Sequence, residues 1–596
     1  MNTKNIKTLL STALLGALVF TSCADLGVDN LNEPTKEAVE GSAENQAKLL
    51  AGGFYDLTTA LHSSYSTHPD LLADQITSTN NVRNFWDFAQ EPKIRLSNSP
   101  TYSGANSYAA FYGGFNSSVS TANLFINNIV NNGLVINDAT GVDVTSNILA
   151  QAYLLRGLAR GYLGMMYNQA FLIDENFVIG EDTPQFAPYG ELIDASISDL
   201  DQAIALGTAA DATTFIFNTM PNPADTWDKN EFLDIANSYA AKILAGEART
   251  AAQAASADWT SILSYAQKGI GGPNASSTLG VFANANIGSA GEFASYYNDW
   301  SNFIVSCATS AVSSCSGYLP TDLKVIHSMD PAYPTTYPAD SAQGTVAALY
   351  PATTADPRLE GYYVYTTNAG FLRSARNPAL YSNYFSGRLY SGNDWWKAAN
   401  DVVFFTDTET ELLIAEAQVM LGSIGDAATT LGNSTAGTGT TTIGFTLDAE
   451  AGGVIADGSL SGGYTFTGTE TVPQMQFALM REYGVEVATL GATGTNWFFM
   501  RRHDMLQAGT PTMFPVPVGE LEILGITTYQ YGGVDDAGTV GTASGANSWK
   551  DLAGTAGLKA RTKAINSVDR PATFNDAVID VNSAKSNIAR KTASEN

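Results

Sequence analysis

Apolar residues recur at three- and four-residue steps in eight separate stretches of this chain, the spacing that gathers them on one face of an α-helix. Ala47, Leu50, Ala51, Phe54, Leu57 and Leu61 form the first stripe, and Tyr108, Phe111, Phe115, Val119, Ala122, Ile126 and Ile129 the second. Ile148, Ala152, Leu155, Ala159, Tyr162 and Met166 follow, then Tyr189, Ile193, Ile197, Leu200 and Ile204. Phe232, Ile235, Tyr239 and Ile243 make a fifth, and Trp259, Ile262, Ala266 and Ile270 a sixth. The last two surround Glu409 to Leu421 and Pro473 to Leu490. One such helix cannot bury its stripe alone. The pattern therefore predicts a mainly α fold with minor β, in which four antiparallel helix pairs of the tetratricopeptide kind stack into a right-handed scaffold. No clean Trp-Leu-Gly-Tyr spacing accompanies it, so periodicity gives paired helices without fixing the type of repeat.

The pairs occupy about 43–270 and 408–490. Between them, residues 271–405 are rich in Gly, Ser, Thr, Pro and Tyr and read as an irregular, loop-rich insertion, the kind of long connection that is functional or holds structure of its own. A Gly- and Thr-rich insertion at about 423–472 predicts turns and a short hairpin. The C-terminal extension, about 544–596, carries more Lys and Arg than Asp and Glu, opposite in sign to the rest, and is expected to lie back on the acidic body.

That body is strongly acidic: 58 Asp and Glu against 30 Lys and Arg give a net charge of −28. The balance disfavours nucleic acid, whose phosphates need clustered basic groups. Four histidines and three cysteines make a dedicated zinc or iron–sulfur site unexpected, and no metal or cofactor is predicted. Zinc-protease, nucleophile-elbow, phosphate-loop and calcium-loop signatures are missing. His62, His68, His327 and His503 are scattered and read as hydrogen-bonded or surface residues, so no catalytic residue is assigned. A glycoside hydrolase nevertheless needs only two suitably spaced carboxylates, and that reading stays open beside a binding function.

Lys4 and Lys7 precede an uncharged, mostly apolar run from Thr8 to Phe20, the layout of a secretory signal. The run is shorter than the roughly 20 residues a membrane-spanning helix needs. Thr21 and Ser22 lead into Cys23, as in a bacterial lipobox, so residues 1–22 are expected to be removed and Cys23 lipidated, leaving 23–596 as one domain; an ordinary signal peptide with an incidental cysteine is the other reading. In an exported chain the spacing of Cys307 and Cys315 suits a disulfide-closed loop, with two buried thiols as the alternative.

Aromatic residues cluster outside the helical stripes: Phe85, Trp86 and Phe88 after Asn80, Asn81 and Asn84; Tyr296, Tyr297, Trp300 and Phe303; Tyr318; and Trp395 with Trp396. A ring exposed on a loop can stack on the apolar face of a sugar while neighbouring polar groups bond its hydroxyls. The same rings could instead pin their loops to the body.

Several segments, taken in order, resemble the SusD/RagB family of Bacteroidetes nutrient-binding lipoproteins. They are Cys23 followed by Leu31-Asn32-Glu33-Pro34-Thr35; the helix Ala152 to Tyr167; Glu191 to Ile204; Ala355-Asp356-Pro357-Arg358; Glu411 to Leu421; Arg481 and Glu482 with Trp497, Arg501 and Arg502; and Phe514-Pro515-Val516-Pro517 with Glu520 and Leu521. Asn496 and Phe499 depart from the pattern. The resemblance implies a non-enzymatic glycan-binding lipoprotein, held in the outer membrane by its lipid and exposed at the cell surface. It would capture oligosaccharide or polysaccharide for a TonB-dependent, SusC-like transporter. By region, it points to Asn84, Phe85, Trp86, Tyr296, Trp300 and Tyr318 as glycan-binding residues, with the Cys307 to Cys315 loop on the same rim. Peptide capture, or a transporter lid that touches no nutrient, are the remaining alternatives.

Overall fold

The computed structural model describes residues 43–178, 180–219, 226–284, 318–337, 351–354, 356, 358–365, 382–386, 402–433, 466–487 and 493–555. Each of the eight stripes marks a helix: α1 (Ala43–His62), α2 (Asn106–Ile126), α3 (Thr145–Met166), α4 (Tyr189–Ala209), α5 (Lys229–Glu247) and α6 (Trp259–Gln267), then, beyond α7 (Leu323–Met329) in the insertion, α8 (Asp407–Met420) and α9 (Val472–Glu482); Ile129 and Ile270 fall just past the ends of α2 and α6, and residues 488–490 lie outside the described residues. Each of the first six packs on its neighbour in the chain, and α6 packs on α8, so the stack continues across the insertion. The result is a mainly α, tetratricopeptide-like scaffold. Among the described residues, no helix is long and apolar enough to cross a membrane.

Local chemistry sets the helix ends. Asp228 and Glu231 form a reciprocal capping box at the start of α5, and Thr471 and Gln474 form another at α9. At the other end, Arg249 donates from Nη2 to the Gly164 and Tyr167 carbonyls, at 2.6 and 2.7 Å, where α3 stops. Arg501 donates to the Gly246 carbonyl at the end of α5 and to Thr512 O, at 2.5 and 2.8 Å. Both guanidiniums are buried and, among the described residues, neither hydrogen-bonds a carboxylate; the negative ends of two helices accept from them instead. Helix α3 is the centre of the stack. At Gly164 and Gly157 a Cβ would come within 2.8 Å of Ile193 Cδ1 and Leu200 Cγ, so glycine there is what lets α4 approach so closely.

Segments far apart in sequence meet in buried ion networks. Arg358 bonds Asp356 (Nε–Oδ1 3.0 Å), Glu482 (2.6 Å) and Glu486 (2.8 Å), while Arg481 bonds Glu482 from the other side at 2.8 Å. Glu416 on α8 takes two bonds of 2.6 Å from Arg502 on α10 (Thr495–Arg502), and His503 reaches it at 2.7 Å. Burial alone would raise the Glu416 carboxyl, but Arg502 and then His503 bring it down to about 2.

The described residues of the 271–405 insertion hold more regular structure than its composition suggests. Strand β1 (Val281–Asn284) pairs antiparallel with β4 (Val402–Thr406) and ties the insertion's two ends together, and β2 (Tyr363–Tyr365) pairs antiparallel with β3 (Tyr384–Ser386). With α7 these elements enclose a second core of Leu323, Val325, Ile326, Met329, Tyr333, Tyr337, Leu359, Tyr362, Tyr363, Tyr384 and Val485. Tyrosine can build such a core because its hydroxyl finds an acceptor inside: Tyr337 bonds Asp322 at 2.6 Å and Tyr362 bonds Glu486 at 3.1 Å. The 423–472 segment is also corrected in part. Its start is a helix, Ile424–Asn433, packed on α8, where turns and a hairpin are predicted; residues 434–465 lie outside the described residues.

Candidate functional site

The segment from Ser78 to Ala89 folds on itself through its own side chains. Asn80 Oδ1 accepts from Val82 N and Asn80 O from Trp86 N, both at 2.9 Å. Arg83 and Asn84 are both left-handed, with φ of 52° and 62°, a conformation that costs a non-glycine residue about 1–2 kcal/mol. Two consecutive such residues persist only where their surroundings hold them. Here Ser103 Oγ donates to Asn84 Oδ1 at 3.0 Å, Asn84 Nδ2 donates to Asp87 at 3.1 Å, and the Tyr102 hydroxyl donates to the same carboxylate at 2.8 Å.

Beneath this turn lies His68, fully buried, with Nδ1 2.8 Å from Tyr65 O and Nε2 2.8 Å from Arg83 O. Its ring packs edge-on to Phe88, with centroids 4.2 Å apart. The turn therefore presents Asn81, Val82 and Arg83 to solvent, with the Arg83 guanidinium 5.9 Å above the half-buried Tyr65 ring. Trp86 is half-buried against the tyrosine-rich second core.

The predicted site residues divide accordingly. Trp86 remains available as a stacking ring. Phe85 does not: it is 0% exposed, and with Phe88 it anchors the turn around His68, so no face of its ring meets water. Asn84 is 8% exposed and spends its amide on Asp87 and Ser103, which makes it a residue that shapes the turn. Tyr318 is half-buried. An antiparallel bridge pairs Ile76 with Thr321, and Thr77 N donates to Pro320 O at 2.8 Å, so Tyr318 and the turn leave one junction side by side. Tyr296, Trp300, Cys307, Cys315 and Cys23 lie outside the described residues. Arg83, Tyr65 and Tyr102 escaped the sequence reading, and His68, expected to be a hydrogen-bonded or surface histidine, was given no part in this turn. The sequence's only available signal for them was the run of Asn and aromatic residues around Arg83, which names the turn but not what supports it.

Among the described residues, three carboxylates, Asp74, Glu91 and Asp322, come close enough together to suggest a metal or an acid pair. Their oxygens are already committed. Lys93 and Trp549 Nε1 bond Asp74 at 2.9 and 2.8 Å, Lys550 bonds Glu91 at 2.7 Å, and Tyr337 bonds Asp322. Burial first, then Asp74 and Glu91, push Asp322 up to about 7. This is a structural knot, through which α11 (Trp549–Thr555), in the described part of the C-terminal extension, is fastened to the body. The four histidines are likewise engaged with protein groups, as predicted.

No protein-family model matches the sequence, and no curated protein matches it. Solved structures do match in shape. A SusD-like protein from Bacteroides fragilis aligns with TM-score 0.53 at 11% identity, over 83% of this chain and 98% of its own. A SusD homolog from Bacteroides thetaiotaomicron aligns with TM-score 0.52 at 12% identity, over 84% and 99%. A SusD-like carbohydrate binding protein from Bacteroides vulgatus aligns with TM-score 0.50 at 14% identity, over 79% and 86%. Paired helices, a clamped insertion with its own core, and these alignments over most of both chains agree: the chain is built on the SusD-like fold.

Proposed function

We propose that this protein is a non-enzymatic glycan-binding lipoprotein of the SusD/RagB family, anchored in the outer membrane through Cys23 and exposed at the cell surface. It captures oligosaccharide or polysaccharide and passes it to a TonB-dependent, SusC-like transporter. The observation that carries the reading is Trp86, a half-buried ring held at the edge of a pre-shaped turn on a fold shared with a protein described as carbohydrate binding. A ring that is already in place when the sugar arrives loses little freedom on binding, which is how a small contact area yields useful affinity. Micromolar capture requires only about −8.2 kcal/mol, and release into a channel favours binding no tighter than that.

Affinity electrophoresis of the full chain against a polysaccharide panel tests the reading. At least one polysaccharide should retard the protein with no new reducing ends released. Free migration through every gel would refute glycan capture, and reducing ends that vanish with one carboxylate substitution would make the protein a hydrolase.

A further inference from the structure

A cleft of about 590 Å³ opens between α4, α5 and α6, and it shares no residue with the turn that carries Trp86. Its size falls within the ~300–1,000 Å³ of small-ligand sites. Leu233 and Ile204 supply apolar surface; Asp201, Asn237, Lys268 and the hydroxyls of Ser261, Ser264 and Thr208 supply polar groups. Three features make it a built site. Asn237 is only 6% exposed, and its Nδ2 donates to Leu233 O at 2.7 Å. Its Oδ1 accepts from no group among the described residues, and Asn237 lines the cleft. The rim is fixed in advance: buried Asp234 accepts from Ser276 N at 2.7 Å and from Ser277 N at 2.9 Å, and Asn274 N donates to Gln267 O at 2.8 Å. Tyr265 is held by its hydroxyl on Asp201 Oδ1 at 2.7 Å, leaving the other carboxylate oxygen and the exposed Lys268 ammonium without a protein partner among the described residues.

We infer that this cleft is a second carbohydrate site, on the helical scaffold itself, for a neutral mono- or disaccharide. Asn237 Oδ1 and Asp201 accept from sugar hydroxyls, Lys268 and the serines donate to sugar oxygens, and Leu233 with Ile204 meets the C–H face. One acid and one base leave the lining without net charge, whereas a charged ligand would need an excess of one sign. Asp201 and Lys268 could also receive the two termini of a peptide, but hydroxyl and amide side chains outnumber them in the lining, which favours a polyol.

The test is saturation-transfer NMR with maltose, cellobiose, lactose and glycylglycine, on full-length protein carrying Trp86→Ala so that the turn does not contribute. Transfer to at least one disaccharide, with none to glycylglycine, is expected. Adding Ser264→Trp, an exposed position on α6 whose indole would fill the cleft, should weaken that binding at least tenfold while leaving the circular dichroism spectrum unchanged. Lys268→Ala, on the exposed rim, should weaken it less and in the same direction. No transfer to any disaccharide, transfer untouched by Ser264→Trp, or preference for glycylglycine would each overturn the assignment. Retardation by polysaccharide of a chain bearing Ser264→Trp alone reports separately on the Trp86 turn.

Discussion

His68 sets two forces against each other, and the contest can be read by experiment. Both ring nitrogens face backbone carbonyls at 2.8 Å, and only a doubly protonated ring can donate to both. Burial opposes that charge and wins: it holds the imidazole at about 4, against the Tyr65 and Arg83 carbonyls and Asp87, with Arg83 adding to the depression. An unfolded histidine takes its proton near 6.5. Between those two values the unfolded chain binds a proton that the folded chain refuses. The stability held by the neutral ring is therefore complete above pH 6.5 and is lost as pH falls toward 4, by about 3 kcal/mol.

His68→Gln keeps one donor beneath the turn and removes the titration. The free energy of urea unfolding of wild type minus that of the variant should decline with acidification across this window. Subtraction removes the contributions of Asp70 and Asp322, which burial raises to about 7 and which titrate nearby. With only four histidines in the chain, the ring resonance can also be assigned by its loss in the variant, and it should remain neutral down to about pH 4. A difference that is flat, or that grows as pH falls, would refute the reasoning, as would a ring already charged at pH 6. Either result would mean that two carbonyls outweigh burial.

Trp86→Ala should weaken glycan binding by about 1–3 kcal/mol without shifting the thermal midpoint by more than a few degrees, because the ring is only half-buried; loss of folding would make it a structural anchor. Arg358→Met should cost about 3–5 kcal/mol of stability in urea titration, since it takes from buried Asp356 and Glu486 the cation that bonds them and leaves Glu482 with Arg481; an unchanged midpoint would show the network to be dispensable. Cys23→Ala should move the protein from the membrane to the soluble fraction on cell fractionation, because acyl chains at ~0.8 kcal/mol per buried methylene are its proposed anchor; retention in the membrane would exclude that anchor.

The helical scaffold was legible in the sequence because an amphipathic stripe is a local pattern, and each of the eight stripes marks a helix among the described residues. The order of the family-like segments pointed to the fold even though each was weak alone. Composition was a poorer guide where Gly, Ser, Thr and Tyr dominate. It gave the 271–405 insertion as irregular, although tyrosines that satisfy their hydroxyls inside can form a core as well as aliphatic residues do, and it missed the helix at Ile424–Asn433.

At the site, sequence could name the aromatic residues near Asn84 but not sort them. Trp86 and Phe85 are chain neighbours of similar character, yet one lies at the rim and the other beneath it. That division depends on which way a left-handed turn at Arg83 and Asn84 aims each ring, and the turn is held from outside by His68, Tyr102 and Ser103. Thus the sequence alone determined the helices and the acidic charge, and it named a candidate region for the site. Only the tertiary structure decided which rings reach solvent, because helix periodicity is written within a few turns of one segment, whereas exposure is set by contacts between residues far apart along the chain.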